Sequence, residues 1–219
     1  MREFQRKVKR LRPDLSSWLV HFAKGRPDEA KLTLQAILNN GLKNSGRGLC
    51  FTESPICDFI KLLELFSAYP RPMYAPYGVA IRKEWFFARG GRPVIYLPDT
   101  ERHFLHNDIA HLYEEYQPGV KDFTWLREWR SKADNLALSR DDTIVIVPSE
   151  KDAEGMLFKW EVDGEYEGPG EYSTTGYRDY AWYYVTLEEI AAANKTQTCD
   201  EIILKLLSDK GREETEESL

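Results

Sequence analysis

The sequence predicts a compact α+β fold in which mixed and antiparallel strands are flanked by helices. Three observations predict it. Short apolar runs of strand character recur at residues 17–22, 49–52 and 143–148. Amphipathic stretches of helical period are interspersed among them, and no regular βαβ repeat joins the two kinds of element. No internal repeat or low-complexity linker divides the chain, and 219 residues suffice for one well-cored domain. The expected organisation is a single domain over residues 1–209, followed by a disordered acidic tail at 210–219 that carries Glu213, Glu214, Glu216 and Glu217.

The elements follow in order. SWLVHF (17–22) reads as a short buried strand. Pro27 then suits the first turn of a helix whose dipole Asp28 and Glu29 complement. Ala30, Leu34, Ile37 and Leu38 form its apolar stripe, and Gly41 is its C-terminal stop. LCFT (49–52) is a strand, after which Ser54 is the expected N-cap and Pro55 the first position of a second helix. Ile56, Phe59, Ile60 and Leu63 share one face of that helix.

YGVAIRKEWF (77–86) alternates as a strand, with Tyr77, Val79 and Ile81 on one side. Gly90-Gly91 turns into RPVIYL (92–97), whose continuous apolar run predicts a central strand. Residues 100–116 are expected to be helical until Pro118-Gly119 breaks the pattern. DFTWLREWRS (122–131) reads as a strand with Phe123, Trp125, Arg127 and Trp129 on one side, and Thr124, Leu126, Glu128 and Arg130 on the other. TIVIVP, MLFKWEV and YRDYAWYYV read as further strands, the stretch from Gly164 to Gly176 as a loop, and residues 199–209 as a closing helix.

Composition excludes several classes. With 42% hydrophobic and 30% charged residues the chain is globular rather than disordered. A net charge of −6 argues against coating nucleic acid by bulk electrostatics, although Arg2, Arg6, Lys7, Lys9, Arg10 and Arg12 make a basic N-terminal arm. No run approaches the roughly 18 apolar residues of a membrane span. The first fifteen residues have the charge of a signal peptide without its apolar core, so a cytoplasmic protein with no membrane partner is expected.

Cys50, Cys57 and Cys199 are odd in number and lack C-x-x-C spacing; they read as reduced, mostly buried thiols. His103, His106 and His111 sit among acidic residues but without the H-E-x-x-H spacing of a helical zinc site, so no metal is expected. Glycine-rich nucleotide motifs and the G-x-S-x-G nucleophile motif are missing from the sequence.

What remains is a set of short segments that put polar groups at the edge of apolar structure. His21 ends the first strand. Thr52, Glu53 and Ser54 lie between a strand and a helix, where free backbone N–H groups favour an anion. Glu128 is flanked by Arg127 and Arg130 in an aromatic strand. Singly, each has an ordinary structural account: a satisfied core histidine, a helix cap, an ion pair.

Their order is more informative. Leu19-Val20-His21-Phe22, the helix end from Ile37 to Leu42, Phe51 to Pro55, Tyr77 to Trp85, Pro93 to Tyr96 and Arg127 to Arg130 follow one another across roughly residues 17–148. This ordered set resembles the AbiGi-type abortive-infection proteins of bacterial phage defence, relatives of the DNA-targeting ADP-ribosyltransferase toxins. The resemblance implies an ADP-ribosyltransferase-like split sheet that clasps NAD. It implies that Glu128 is the catalytic carboxylate, with Lys83 supplying positive charge beside it. It assigns cofactor binding to His21 (ribose), Thr52 and Ser54 (phosphates or nicotinamide side), Tyr77 (aromatic face) and Arg82 (positive charge).

The activity so implied is transfer of ADP-ribose to a nucleic acid or a protein, in abortive infection or a toxin–antitoxin pair. The alternative is the same fold without turnover, serving as an antitoxin or a phage sensor. A fixed carboxylate suits the reaction because cleavage of the N-glycosidic bond builds oxocarbenium-like positive charge on the ribose.

Overall fold

The computed structural model describes residues 2–168, 171–193 and 196–212. A seven-stranded mixed sheet forms the centre, with helices packed on both of its faces. The first helix, α1 (Arg2–Leu11), leads to β1 (Trp18–Phe22), the strand the sequence pattern places at 17–22. Trp18, Val20 and Phe22 point to one face of the sheet, Leu19 to the other, so β1 is apolar on both sides like any strand covered twice.

Helix α2 (Pro27–Asn40) starts at Pro27, and the Glu29 side chain accepts the Arg26 backbone N–H at 3.2 Å. Its spacing of Ala30, Leu34 and Ile37 buries one stripe against the sheet. Gly41 ends the helix at φ 78°, its N–H bonded to Ile37 O at 2.8 Å. An added Cβ there would sit 2.7 Å from Leu136 O, so glycine is required twice over.

After β2 (Leu42–Lys43) and β3 (Leu49–Thr52), α3 (Ile56–Ser67) buries Ile56, Phe59 and Leu63 on the second face. Its N-cap position is Pro55, not Ser54, whose hydroxyl donates instead to Trp125 O. Strand β4 (Gly78–Arg82) stops at Arg82 rather than running to residue 86. Lys83–Ala88 forms α4, which turns Phe86 into the core, and the Lys83 N–H bonds Ser17 O at 2.9 Å. Gly78 lets β4 approach β1: a Cβ on it would lie 2.5 Å from His21 O.

RPVIYL is not one central strand. It divides into β5 (Arg92–Pro93), at the sheet edge, and β6 (Ile95–Leu97), which pairs in parallel with β7 (Tyr113–Glu115). The proline supplies no ladder donor, which suits an edge. Residues 100–116 are likewise not one helix but two 3-10 turns, Asp99–Phe104 and Ala110–Leu112, ahead of β7. Here strand pairing across the fold overrides local helical propensity.

Only the second half of 122–131 is a strand, β8 (Glu128–Ser131). Thr124–Leu126 is a 3-10 turn begun by Asp122, whose carboxylate accepts the Thr124 N–H at 2.9 Å. Arg127 then takes a left-handed conformation, φ 47°.

Beyond β9 (Asn135–Leu136), paired with β2, the run TIVIV is β10 (Thr143–Val147), buried at every position. Then come α5 (Glu150–Leu157), β11 (Phe158–Gly168), β12 (Glu171–Tyr180), β13 (Tyr183–Thr186), α6 (Leu187–Ala192) and α7 (Cys199–Asp209). The stretch expected as a loop is instead a long hairpin, with Phe158 opposite Tyr180 and Gly168 opposite Glu171. YRDYAWYYV therefore spans two strands. Residues 210–212, expected in the tail, are packed: Arg212 donates to Asp141 O and Lys210 to Glu189. Residues 213–219 lie outside the described residues.

The sheet order is β13-β10-β4-β1-β3-β8-β5, with β10 and β13 parallel and the other ladders antiparallel. One face carries α2, α4 and α5 over Leu49, Phe51, Val79, Val145 and Trp129. The other carries α3, α6 and α7 over Trp18, Val20, Ile144 and Ile146. Burying each such side chain contributes about 1.5–3 kcal/mol, so the two layers together set the mixed α+β architecture. No helix of the described residues is long and apolar enough to cross a membrane.

Candidate functional site

The site begins with a gap in a ladder. β1 pairs with β4 over five residues, from Trp18 opposite Arg82 to Phe22 opposite Gly78. With β3 it shares a single pair, Val20 opposite Thr52. Beyond that point the strands part, and a cavity of about 590 Å3 lies between them. Residues from both faces of β1 (Val20, His21, Phe22) and of β3 (Leu49, Cys50, Phe51, Thr52) line it, as expected for space between strand edges. The outer half of α2 and the loop through Lys43, Arg47 and Gly48 close one side; Met73, Tyr74, Phe123 and Leu126 close the other.

His21 occupies the parting. Its Nδ1 lies 2.8 Å from Cys50 O, taking the place of a backbone ladder bond. A carbonyl only accepts, so Nδ1 carries the hydrogen and Nε2 is the acceptor of the neutral ring. Burial, partly offset by that bond, moves the imidazole pKa below its ordinary 6.5, so the ring is neutral at pH 7. The ring edge packs on Phe51 at a centroid distance of 5.8 Å.

Glu128 enters the same cavity from β8, across β3 from His21. Both of its carboxylate oxygens are held by Arg130, at 2.7 Å from Nε and 3.0 Å from Nη2. Arg130 also donates to Tyr113 O at 2.7 Å and to Glu114. Burial opposes the Arg130 charge, but the Glu128 and Glu114 carboxylates outweigh it and raise its pKa above the ordinary value. The result is one fixed guanidinium between two carboxylates, all three lining the cavity. Cys50, beside them, has its thiol pushed up to about 12 by burial and then by Glu128, which makes it a poor nucleophile. Burial and the Glu128 charge also raise the Tyr74 pKa, so its hydroxyl stays protonated.

Of the residues expected in the site, His21, Thr52 and Glu128 line the cavity; Ser54, Tyr77, Arg82 and Lys83 do not. The Thr52 hydroxyl is already engaged, donating to Leu126 O and accepting the Ser54 N–H at 3.1 Å. With Ser54 it clips the 3-10 turn in front of β8 to the end of β3. The start of α3 is no anion cradle either, because the Cys57 N–H is taken by Cys199 Sγ at 3.2 Å.

Lys83 is held just past the end of β3. Its Nζ bonds Glu53 and Ser16 O, each at 2.8 Å, and Glu53 also accepts from Arg127 at 3.2 Å and Trp129 Nε1 at 2.9 Å. This buried network needs every member, since a lone carboxylate there would be desolvated without a partner. Arg82 stacks its guanidinium 3.8 Å from the Trp18 ring, and burial lowers its pKa to about 10. Tyr77 faces α5 and donates to Asp152 at 2.9 Å. Tyr77, Arg82 and Lys83, assigned to the site by the resemblance, are thus engaged by other partners.

Tyr74, Glu114, Arg130 and the exposed cations Lys24, Lys43 and Arg47 line the cavity without having been singled out as ligands. Arg130 stood inside the R-E-W-R segment and was readable there. Glu114 was hidden by the helical reading of residues 100–116. Tyr74 sits in the proline-dense loop YPRPMYAPY, whose rigid backbone was the one signal for a fixed aromatic. The aromatic run YRDYAWYYV is packed where it is described: Tyr184 is buried, and Tyr180 and Trp182 rest on the core. The side chains of Tyr177 and Arg178 lie outside the described residues.

Among the described residues no group of three or more His, Cys, Asp or Glu could hold a metal ion. His103 and His106 are exposed, and His111 is half-buried. Comparison with protein-family models, with curated proteins and with solved structures finds no match to the chain.

Proposed function

We propose that the cavity between β1 and β3 binds NAD and that the chain is an ADP-ribosyltransferase with a split-sheet fold of that class. The observation that carries this reading is the shared cavity: an imidazole from the first strand and a carboxylate from a late strand face it from either side of β3. The sequence segments that resemble AbiGi-type proteins imply that juxtaposition. The setting, bacterial phage defence by abortive infection or a toxin–antitoxin pair, rests on the same resemblance alone.

The residues present suit NAD. The volume falls within the roughly 300–1,000 Å3 usual for small-molecule sites. Lys24, Lys43 and Arg47 place positive charge at the rim for a pyrophosphate. Neutral His21 offers Nε2 to a ribose hydroxyl, and Tyr74 offers an aromatic face with a protonated hydroxyl. Bound NAD supplies an N-glycosidic bond whose cleavage builds positive charge on the ribose. Glu128 holds negative charge in a cavity where such charge is poorly screened, and Arg130 fixes its position.

Labelled NAD incubated with the protein and fractionated cell lysate tests the reading. Nicotinamide release is expected, and Glu128→Gln is expected to reduce it by about 100-fold or more while NAD binding changes only a few-fold. Absence of both release and binding overturns the proposal.

One observation favours a second reading, an ADP-ribosyltransferase fold that binds without turnover as an antitoxin or phage sensor. Arg130 engages both Glu128 oxygens, leaving fewer lone pairs for a reacting ligand. NAD binding without nicotinamide release from any lysate fraction would select it.

A further inference from the structure

On the α3 and α7 side of the sheet, two thiols separated by 142 residues meet. Cys57 Sγ lies 2.7 Å from Cys199 Sγ, and the Cys57 backbone N–H points at the Cys199 sulfur from 3.2 Å. Both are free cysteines. At that distance the two sulfurs are in direct contact, short of the separation of about 2.0 Å that a covalent bond between them needs.

Neither partner is loosely held. Cys199 opens α7, whose first turn is fixed by the reciprocal bonds of Thr198 and Glu201, at 2.8 and 3.3 Å. Its neighbour Asp200 accepts from the Ser16 hydroxyl and the Ser17 N–H, at 2.9 and 2.8 Å, anchoring α7 to the start of β1. Cys57 lies in the first turn of α3, directly after the Thr52–Ser54 clip.

We propose that Cys57 and Cys199 are an oxidisable dithiol, a modification site at which a peroxide converts the pair to a disulfide joining the start of α3 to the start of α7. The Cys57 sulfur attacks the peroxide, so that an S–O bond forms as the O–O bond breaks and the displaced oxygen takes up the thiol proton. The Cys199 sulfur then attacks Cys57; the S–S bond forms, the S–O bond breaks, and water leaves with the second proton. Two electrons pass from the two thiols to one peroxide.

The electrostatics agree with that order of attack. The hydrogen bond with Cys199 lowers the Cys57 pKa against the opposing effect of burial, while the same bond and burial raise Cys199. Cys57 is the more exposed of the two, Cys199 being buried. Cys50 is an internal contrast: it has no thiol neighbour among the described residues, and its own thiol is held up at about 12. The dithiol does not depend on what the cavity binds. The helix it would staple nevertheless matters there, because Phe59 of α3 stacks on Phe22 at 5.0 Å and contacts Tyr74 at 5.6 Å, both cavity residues.

The test treats the native, full chain with hydrogen peroxide, blocks free thiols, and maps the digest by mass spectrometry alongside a melting curve. Expected are a cross-linked Cys57–Cys199 peptide lacking two hydrogens, Cys50 recovered as a free thiol, and a melting temperature that rises and returns with dithiothreitol. In Cys199→Ser the cross-link should vanish and Cys57 should proceed to sulfinic acid. Sulfinic acid on Cys57 in the unsubstituted chain, or a cross-link that forms only after denaturation, overturns the proposal.

Discussion

The two halves of the central sheet are built by opposite rules. From β1 through β4 and β10 to β13 the ladders are continuous, with five, four and four paired residues in turn. Their positions are almost all apolar on both faces: Ile144, Val145, Ile146 and Val147 have no exposed surface. Between β1 and β3 the pairing drops to one residue before β3 and β8 pair over four, an imidazole bridges the gap, and hydroxyls and ion pairs join the aliphatic contacts. Continuous backbone pairing leaves no room for a ligand, whereas an opened ladder creates space and also orphans polar groups that side chains must satisfy. The polar residues of the site half are thus partly a structural necessity.

Substitutions in each half can break this comparison. Ile146→Ala in the continuous half should cost about 2–5 kcal/mol, read as a lower denaturation midpoint with unchanged m-value, because nothing can move in to fill the void. Thr52→Val should cost less, about 1–3 kcal/mol, by stranding the Leu126 carbonyl. It should also loosen the turn before Glu128, visible as faster amide exchange at Leu126 and Glu128. If Thr52→Val proves the more damaging, the polar clip rather than the apolar layers dominates stability.

A further effect concerns pH. Below its ordinary value of 6.5 the unfolded chain's His21 takes up a proton that the folded ring, with its depressed pKa, refuses. Stability from this group is therefore complete above pH 6.5 and falls as pH drops from there through the folded value. His21→Asn keeps a donor for Cys50 O and should flatten that acid limb. His111 shifts in the same direction, so the difference between variant and unsubstituted chain isolates position 21. An unchanged acid limb would place the His21 ring in solvent.

Much of the architecture was legible in local pattern. The strands at 49–52 and 143–147 and the helix at 199–209 fall where periodicity puts them, and α2 ends at the glycine that its φ of 78° demands. These segments have one apolar solution each. Residues 92–131 did not yield to the same reading. Their propensities are balanced, so parallel pairing of β6 with β7, the Asp122 turn and the left-handed Arg127 decided their course.

The site divides in the same way. Sequence order alone selected His21, Thr52 and Glu128, because each sits on a strand whose register the apolar pattern fixes. It could not determine that Lys83, Arg82, Tyr77 and Ser54 serve partners elsewhere, nor that Glu114 and Tyr74 come to the cavity. Those outcomes depend on which of several polar partners reaches a side chain first in space. Hydrophobic period constrains the face on which a residue lies; long-range packing alone decides what it meets there.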